Sequence, residues 1–176
     1  HFLVGTTSGH AASITENFEE WLQCEWPHLQ VLVTNVTTTW AVINIAGPKA
    51  RDVLATIGTD IDLTSTAFPH MSFRSGNIDG IPARVARVSF SGELSYEVAV
   101  PWGFGGALWT AAMRAGQVYD ITPFGIEALM VMRIEKGFLH IGADTDGTTL
   151  PQDIGFDMLI KKKPDDFVGR RSTMRP

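Results

Sequence analysis

The sequence predicts an α+β fold of two lobes with mostly antiparallel sheets. Short β-branched or apolar runs are interleaved with stretches whose apolar residues recur at helical spacing. Several runs are joined by tight-turn chemistry, at Ser75-Gly76-Asn77, Asp79-Gly80 and Ser91-Gly92, which suits hairpins better than long crossovers. No Gly-x-Gly-x-x-Gly segment follows a strand, so a doubly wound, nucleotide-binding sheet has no signature here.

The elements follow in order. Residues 2–7 read as an opening strand. Ile14, Phe18, Trp21 and Leu22 form an amphipathic stripe, with Glu16, Glu19 and Glu20 turned to water, and predict a helix over 11–23 that Trp26-Pro27 ends. Residues 29–35 and 40–46 read as strands on either side of the Thr-rich stretch 36–39. Gly47-Pro48 opens a helix over 48–57, because proline suits the first helical turn, and Gly58 can close it. Residues 1–58 therefore read β-α-β-β-α, a ferredoxin-like first lobe. The polar connector 59–66 is the expected boundary, and 67–176 forms the second lobe. There, strands are expected at 68–73, 81–90, 96–100 and 118–122, with helices at 104–115 and 125–136 stopped by Gly116 and Gly137.

Composition narrows the function classes. The chain has 176 residues, 44% of them hydrophobic and 19% charged, which is a globular balance and not a disordered one. Lys plus Arg is 14 against 19 Asp plus Glu, a formal charge of −5. That leaves no cationic field for nucleic acid or an anionic membrane surface, so neither is an expected partner. No apolar run approaches the roughly 20 residues of a membrane span, and residues 1–30 show no basic stretch followed by an apolar one, so a non-secreted protein is expected. The single cysteine, Cys24, excludes an intrachain disulfide, and a cytoplasmic location is expected. Cys24 itself reads as a packed or idle thiol. The five histidines are scattered away from ligand spacing, so no metal site is expected. The chain opens at His1 without an initiator Met, inside a strand-like run, which reads as a piece of something longer.

Two charged residues stand out. Tyr96, Val98 and Val100 share one face of a strand, so Glu97 points the other way beside a tight glycine turn. It is either a solvated strand carboxylate or an acid lining a cleft, where it could accept two parallel hydrogen bonds from an amidine-like edge such as a pterin's 2-amino group and ring N–H. Arg133 falls on or beside the apolar stripe Ile126, Leu129, Met130 and Ile134, where an unpaired guanidinium is costly, so it needs a salt bridge or a ligand.

Five segments in order, Ala46–Leu54, Phe90–Glu97, Met132–Gly137, Thr148–Gly155 and Phe167–Arg170, resemble the glycine-cleavage T-protein (aminomethyltransferase) family. Gly125–Leu129, Glu135–Phe138 and Asp146–Asp153 are most similar to the heterotetrameric sarcosine oxidase α-subunit branch of that family. The resemblance implies a two-lobed folate-binding domain. Such a domain would capture the one-carbon unit of oxidised sarcosine on tetrahydrofolate, giving 5,10-methylenetetrahydrofolate and glycine; the alternatives are a T-protein-like aminomethyltransferase or dimethylglycine-oxidising relative, or a non-catalytic folate-binding module. It places the pteridine-binding carboxylate at Glu97, a folate-contacting ring at Phe90 and the pterin-pocket wall at Phe2 and Val4.

Phe90 stands where the family carries tyrosine and so lacks its hydroxyl. Leu129 stands where T-proteins carry a ligand-binding arginine, a departure that bears on aminomethyl-carrier activity. The family's catalytic carboxylate and its C-terminal barrel fall outside the chain under this alignment, so no catalytic residue is expected within it. FAD, FMN and NAD are implied only for the full complex, whose other subunits are the implied partners.

Overall fold

The computed structural model describes residues 1–163 and 165–174; Pro164 and the last two residues of the expected second lobe lie outside them. Its centre is one four-stranded antiparallel sheet made of β1 (Trp40–Ala46), β2 (Ser72–Ile78), β3 (Ile81–Arg87) and β4 (Ser95–Pro101), in the order β1-β4-β3-β2. β2 and β3 are joined by Asp79 and Gly80 alone, with φ of 51° and 74°. Two successive positive φ values define the tight turn whose twist matches a hairpin, and glycine takes the second without strain.

Strand alternation divides the sheet into a covered and an open face. Ile43 and Ile45 of β1, Tyr96, Val98 and Val100 of β4, and Val85 of β3 belong to the core side. Onto them pack α2 (Ala50–Ile57), through Val53 and Leu54, and α3 (Gly105–Gly116), through Leu108 and Ala112. Burying each such aliphatic side chain contributes about 1.5–3 kcal/mol, so this layer holds the fold together. Tyr96 is fully buried, and its hydroxyl accepts a hydrogen bond from Arg51 Nε at 3.1 Å, which satisfies its one polar atom.

The helices expected at 11–23, 48–57, 104–115 and 125–136 are present as α1 (Ala11–Cys24), α2, α3 and α4 (Ile126–Lys136), and a short α5 (Asp157–Lys161) follows. The strands differ more. Residues 2–7 and 29–35 are not strands, because a strand needs a neighbour to take its backbone hydrogen bonds and none pairs with them among the described residues. Phe2 is 101% exposed and Leu32 97%. Of the β-α-β-β-α order expected for 1–58, one strand and both helices form, and that strand, β1, pairs with β4 across the 59–66 connector. The strand expected at 68–73 runs instead over Ser72–Ile78, since Phe68 is drawn into the core and Met71 takes a positive φ of 60°, and the turn expected at Ser75-Gly76-Asn77 lies inside it, paired with β3. The strand expected at 118–122 is replaced by a 3-10 turn at Gln117–Tyr119, with Asp120 in the left-handed region.

Candidate functional site

Glu97 sits at the middle of the open sheet face. Its cross-strand neighbours are Asn44 on β1 and Ala86 on β3, and Phe73 on β2 continues the row. The next row carries Ser75, Arg84, Ala99 and Val42. Val42 is 57% exposed and Phe73 45%, so apolar side chains flank the carboxylate without a covering layer. Glu97 is solvent-accessible, yet the sheet removes part of its hydration, and that desolvation pushes its pKa above the ordinary glutamate range. The carboxylate forms no ion pair among the described residues.

Asn44 and Arg84 are neighbours that sequence reading did not single out. The Asn44 amide donates to Ser95 Oγ at 3.0 Å, and that hydroxyl donates back to the amide oxygen at 3.2 Å, which fixes Asn44 beside Glu97. The Arg84 guanidinium lies 4.3 Å over the Trp40 ring, drawn to the aromatic face and not to the acid. The signal for Asn44 was its place in the alternation of 40–46, but its partner across the sheet could be found only from the register.

Phe90 lies seven residues before Glu97, in the loop after β3. Its ring stacks on Phe138, with centroids 6.5 Å apart and planes 14° from parallel, and meets His140 edge-on at 6.4 Å. Phe138 and His140 follow α4 and are held by Arg133, the one buried residue of that helix, 7% exposed. Its Nη1 donates to the Phe138 carbonyl at 3.1 Å and pairs with the Asp144 carboxylate, which also accepts the His140 amide at 2.7 Å. The His140 amide and then the guanidinium hold the Asp144 pKa below the ordinary aspartate range. Arg133 is thus the structural ion pair of the two alternatives, although its Nε is buried without a partner among the described residues. The apolar stripe expected to surround it is only partly covered, since Ile126 and Ile134 are exposed.

Phe2 and Val4 are not brought to Glu97 or Phe90 by any element: both lie in the irregular opening segment, and Phe2 packs on nothing. Cys24 is exposed. Among the described residues no group of three or more His, Cys, Asp or Glu could hold a metal ion, and no helix is long and apolar enough to cross a membrane.

Two cavities border the sheet. One, of about 510 Å³, runs beside β1 and is lined by Asn44, Trp109, Met113 and Phe124. The other, of about 330 Å³, lies at the end of the sheet between Arg87, Ser95, Lys136 and His70. Gly92 shapes its wall: at a φ of 85°, a Cβ built there would stand 2.7 Å from Lys136 Cβ, so only glycine lets the lysine stem lie against the loop.

The family model described as the GCVT N-terminal domain matches residues 1–164. The chain is 48% identical over 175 residues to the sarcosine oxidase subunit alpha of Corynebacterium sp. (strain P-1), covering 99% of the chain and 18% of that relative. It is 39% identical over 176 residues to the sarcosine oxidase subunit alpha of Rhizobium meliloti (strain 1021), again covering 99% of the chain and 18% of the relative. With the mitochondrial dimethylglycine dehydrogenase of Mus musculus it shares 36% identity over 143 residues, 81% of the chain and 16% of the relative. The chain therefore spans less than a fifth of the length of these curated relatives.

Proposed function

The chain belongs to the GCVT N-terminal domain family, and from that premise we propose that it is the tetrahydrofolate-binding domain of a sarcosine-oxidising enzyme. In this reading it receives the one-carbon unit of oxidised sarcosine on tetrahydrofolate, forming 5,10-methylenetetrahydrofolate and releasing glycine. The observation that carries it is Glu97: a partly desolvated carboxylate without an ion-pair partner among the described residues, centred on an open sheet face with apolar neighbours. Such a group suits the paired N–H donors at one edge of a pterin, whose flat ring would cover the apolar side chains around it.

In the same reading Phe90 offers a ring for stacking, while Phe2 and Val4, exposed in the opening segment, would have to fold over the sheet to wall the pterin pocket. The group that handles the proton in methylene transfer lies outside residues 1–176. Flavin and nicotinamide cofactors, FAD, FMN and NAD, belong to other parts of a heterotetrameric assembly, where the amine is oxidised. The identity with dimethylglycine dehydrogenase favours a second amine, dimethylglycine, for the same folate site.

The test is Glu97→Gln. The amide keeps the size of the side chain but sets an NH₂ against the ligand's donors, so tetrahydrofolate binding is expected to weaken by about 1.5–3 kcal/mol, roughly 10- to 150-fold. Calorimetric titration of both proteins measures this, and equal affinities would return Glu97 to the role of a solvated strand carboxylate.

A further inference from the structure

The cavity of about 330 Å³ at the end of the sheet has chemistry that the pterin-binding role of Glu97 does not use. Arg87, at the end of β3, donates one N–H to the Phe68 carbonyl at 2.6 Å and makes no other side-chain bond among the described residues. Lys136, in the last turn of α4, forms no hydrogen bond or ion pair there, and its stem is held against Gly92. His70 completes the basic wall, and Glu93 is the one acid lining the cavity. The ion pairs of the described residues are Lys49–Asp52, Arg133–Asp144 and Lys161–Asp157, none of which neutralises this wall. Arg87 and Lys136 against Glu93 leave the cavity positive, in a chain whose formal charge is −5.

The cavity also adjoins Glu97. Ser95 lines it and lies on the same sheet face, two residues and so about 7 Å along the strand. A ligand extending from Glu97 past Ser95 to the end of the sheet would reach this cavity, although the alternation of β3 puts Arg87 on the side of Val85 and not on the face of Glu97.

We propose that this cavity binds the carboxylate of the amino acid that carries the one-carbon unit, which is glycine once the unit has been transferred. The inference rests on the reading of the chain as a folate domain fed by sarcosine. Sarcosine, the iminium made from it and glycine all keep one carboxylate. A guanidinium and an ammonium lining one cavity can hold that group through charge-assisted hydrogen bonds, the guanidinium through the N–H groups that Phe68 leaves free. Anchoring the carboxylate would leave the nitrogen end free to face the folate, whose reacting nitrogens lie across the pterin from the donors that Glu97 takes.

The experiment titrates the full chain with glycine and with glycinamide, which keeps the amine and lacks the carboxylate, each with and without tetrahydrofolate. Glycine is expected to bind at least about tenfold more tightly than glycinamide, the loss that removing a charge-assisted pair produces. Lys136→Met keeps the stem packed on Gly92 and should erase most of that preference, while tetrahydrofolate affinity stays within about twofold of wild type. Arg87→Lys, which retains charge but loses the fork, should weaken glycine as well. Equal binding of glycine and glycinamide, or a preference untouched by Lys136→Met, would overturn the proposal even if tetrahydrofolate binds normally. Failure of wild type to bind tetrahydrofolate would overturn the folate reading instead, and the glycine-to-glycinamide ratio still decides the cavity.

Discussion

Glu97 shows how a single titration links stability and binding. Desolvation raises its pKa in the folded chain, so its contribution to stability is fully present below the unfolded value and is lost as pH rises through the folded one. Ligand binding runs the other way, because accepting two N–H donors requires the carboxylate. Tetrahydrofolate affinity is expected to fall as pH drops through the raised Glu97 pKa, and the Glu97→Gln protein should lack that acid limb. Titrations across the acidic range in both proteins check this; parallel pH profiles would exclude Glu97 from the site. Asp144 has the opposite sign. Its lowered pKa, set first by the His140 amide and then by Arg133, gives stability above the ordinary aspartate range that is lost as pH falls through the folded value. Asp144→Asn is expected to speed hydrogen exchange of the His140 amide and to loosen the Phe90–Phe138 stack, and unchanged protection of that amide would show that the carboxylate does not hold the loop.

At the scale of elements, the loop from Ser91 to Leu94 connects the Phe90 ring to the Glu97 strand, and Gly92 sets its path against α4. An alanine there meets both a left-handed backbone and the Lys136 stem, so Gly92→Ala is expected to cost about 1–3 kcal/mol, measurable as a lowered denaturation midpoint. A change below about 0.5 kcal/mol would mean that the loop shifts freely. Helices were more legible than strands, and α1 shows why: the spacing of Ile14, Phe18, Trp21 and Leu22 and the stop at Trp26-Pro27 are local signals. The segment 29–35 has the same β-branched composition as β1, yet only β1 finds a neighbour in the sheet. A strand is defined by its partner, and nothing in its own residues names one.

For the whole molecule, the proposed division of labour makes a direct prediction. With the proton-handling carboxylate outside residues 1–176, the chain alone should not accelerate methylene transfer to tetrahydrofolate from formaldehyde beyond the uncatalysed condensation. Stopped-flow spectroscopy of the mixture with and without protein measures this, and a clear rate enhancement would place a catalytic group within the chain. The layered packing also explains why Glu97 is accessible: α2 and α3 cover the face of Tyr96, Val98 and Val100, and the alternation of β4 turns Glu97 to the other side.

The sequence by itself determined the α+β class, the four main helices, the Asp79-Gly80 hairpin and the side of β4 on which Glu97 stands. Each of these follows from turn chemistry or periodicity within a few residues. Its ordered motifs also pointed to the family that the matched residues show. Only the tertiary structure decided that β1 joins β4, that Asn44 stands beside Glu97, that Arg133 closes on Asp144, and that Arg87, Lys136 and His70 share one cavity. Those residues are far apart along the chain or silent in its local patterns, and what brings them together is strand register and the burial of one sheet face, which depend on the packing of the whole chain.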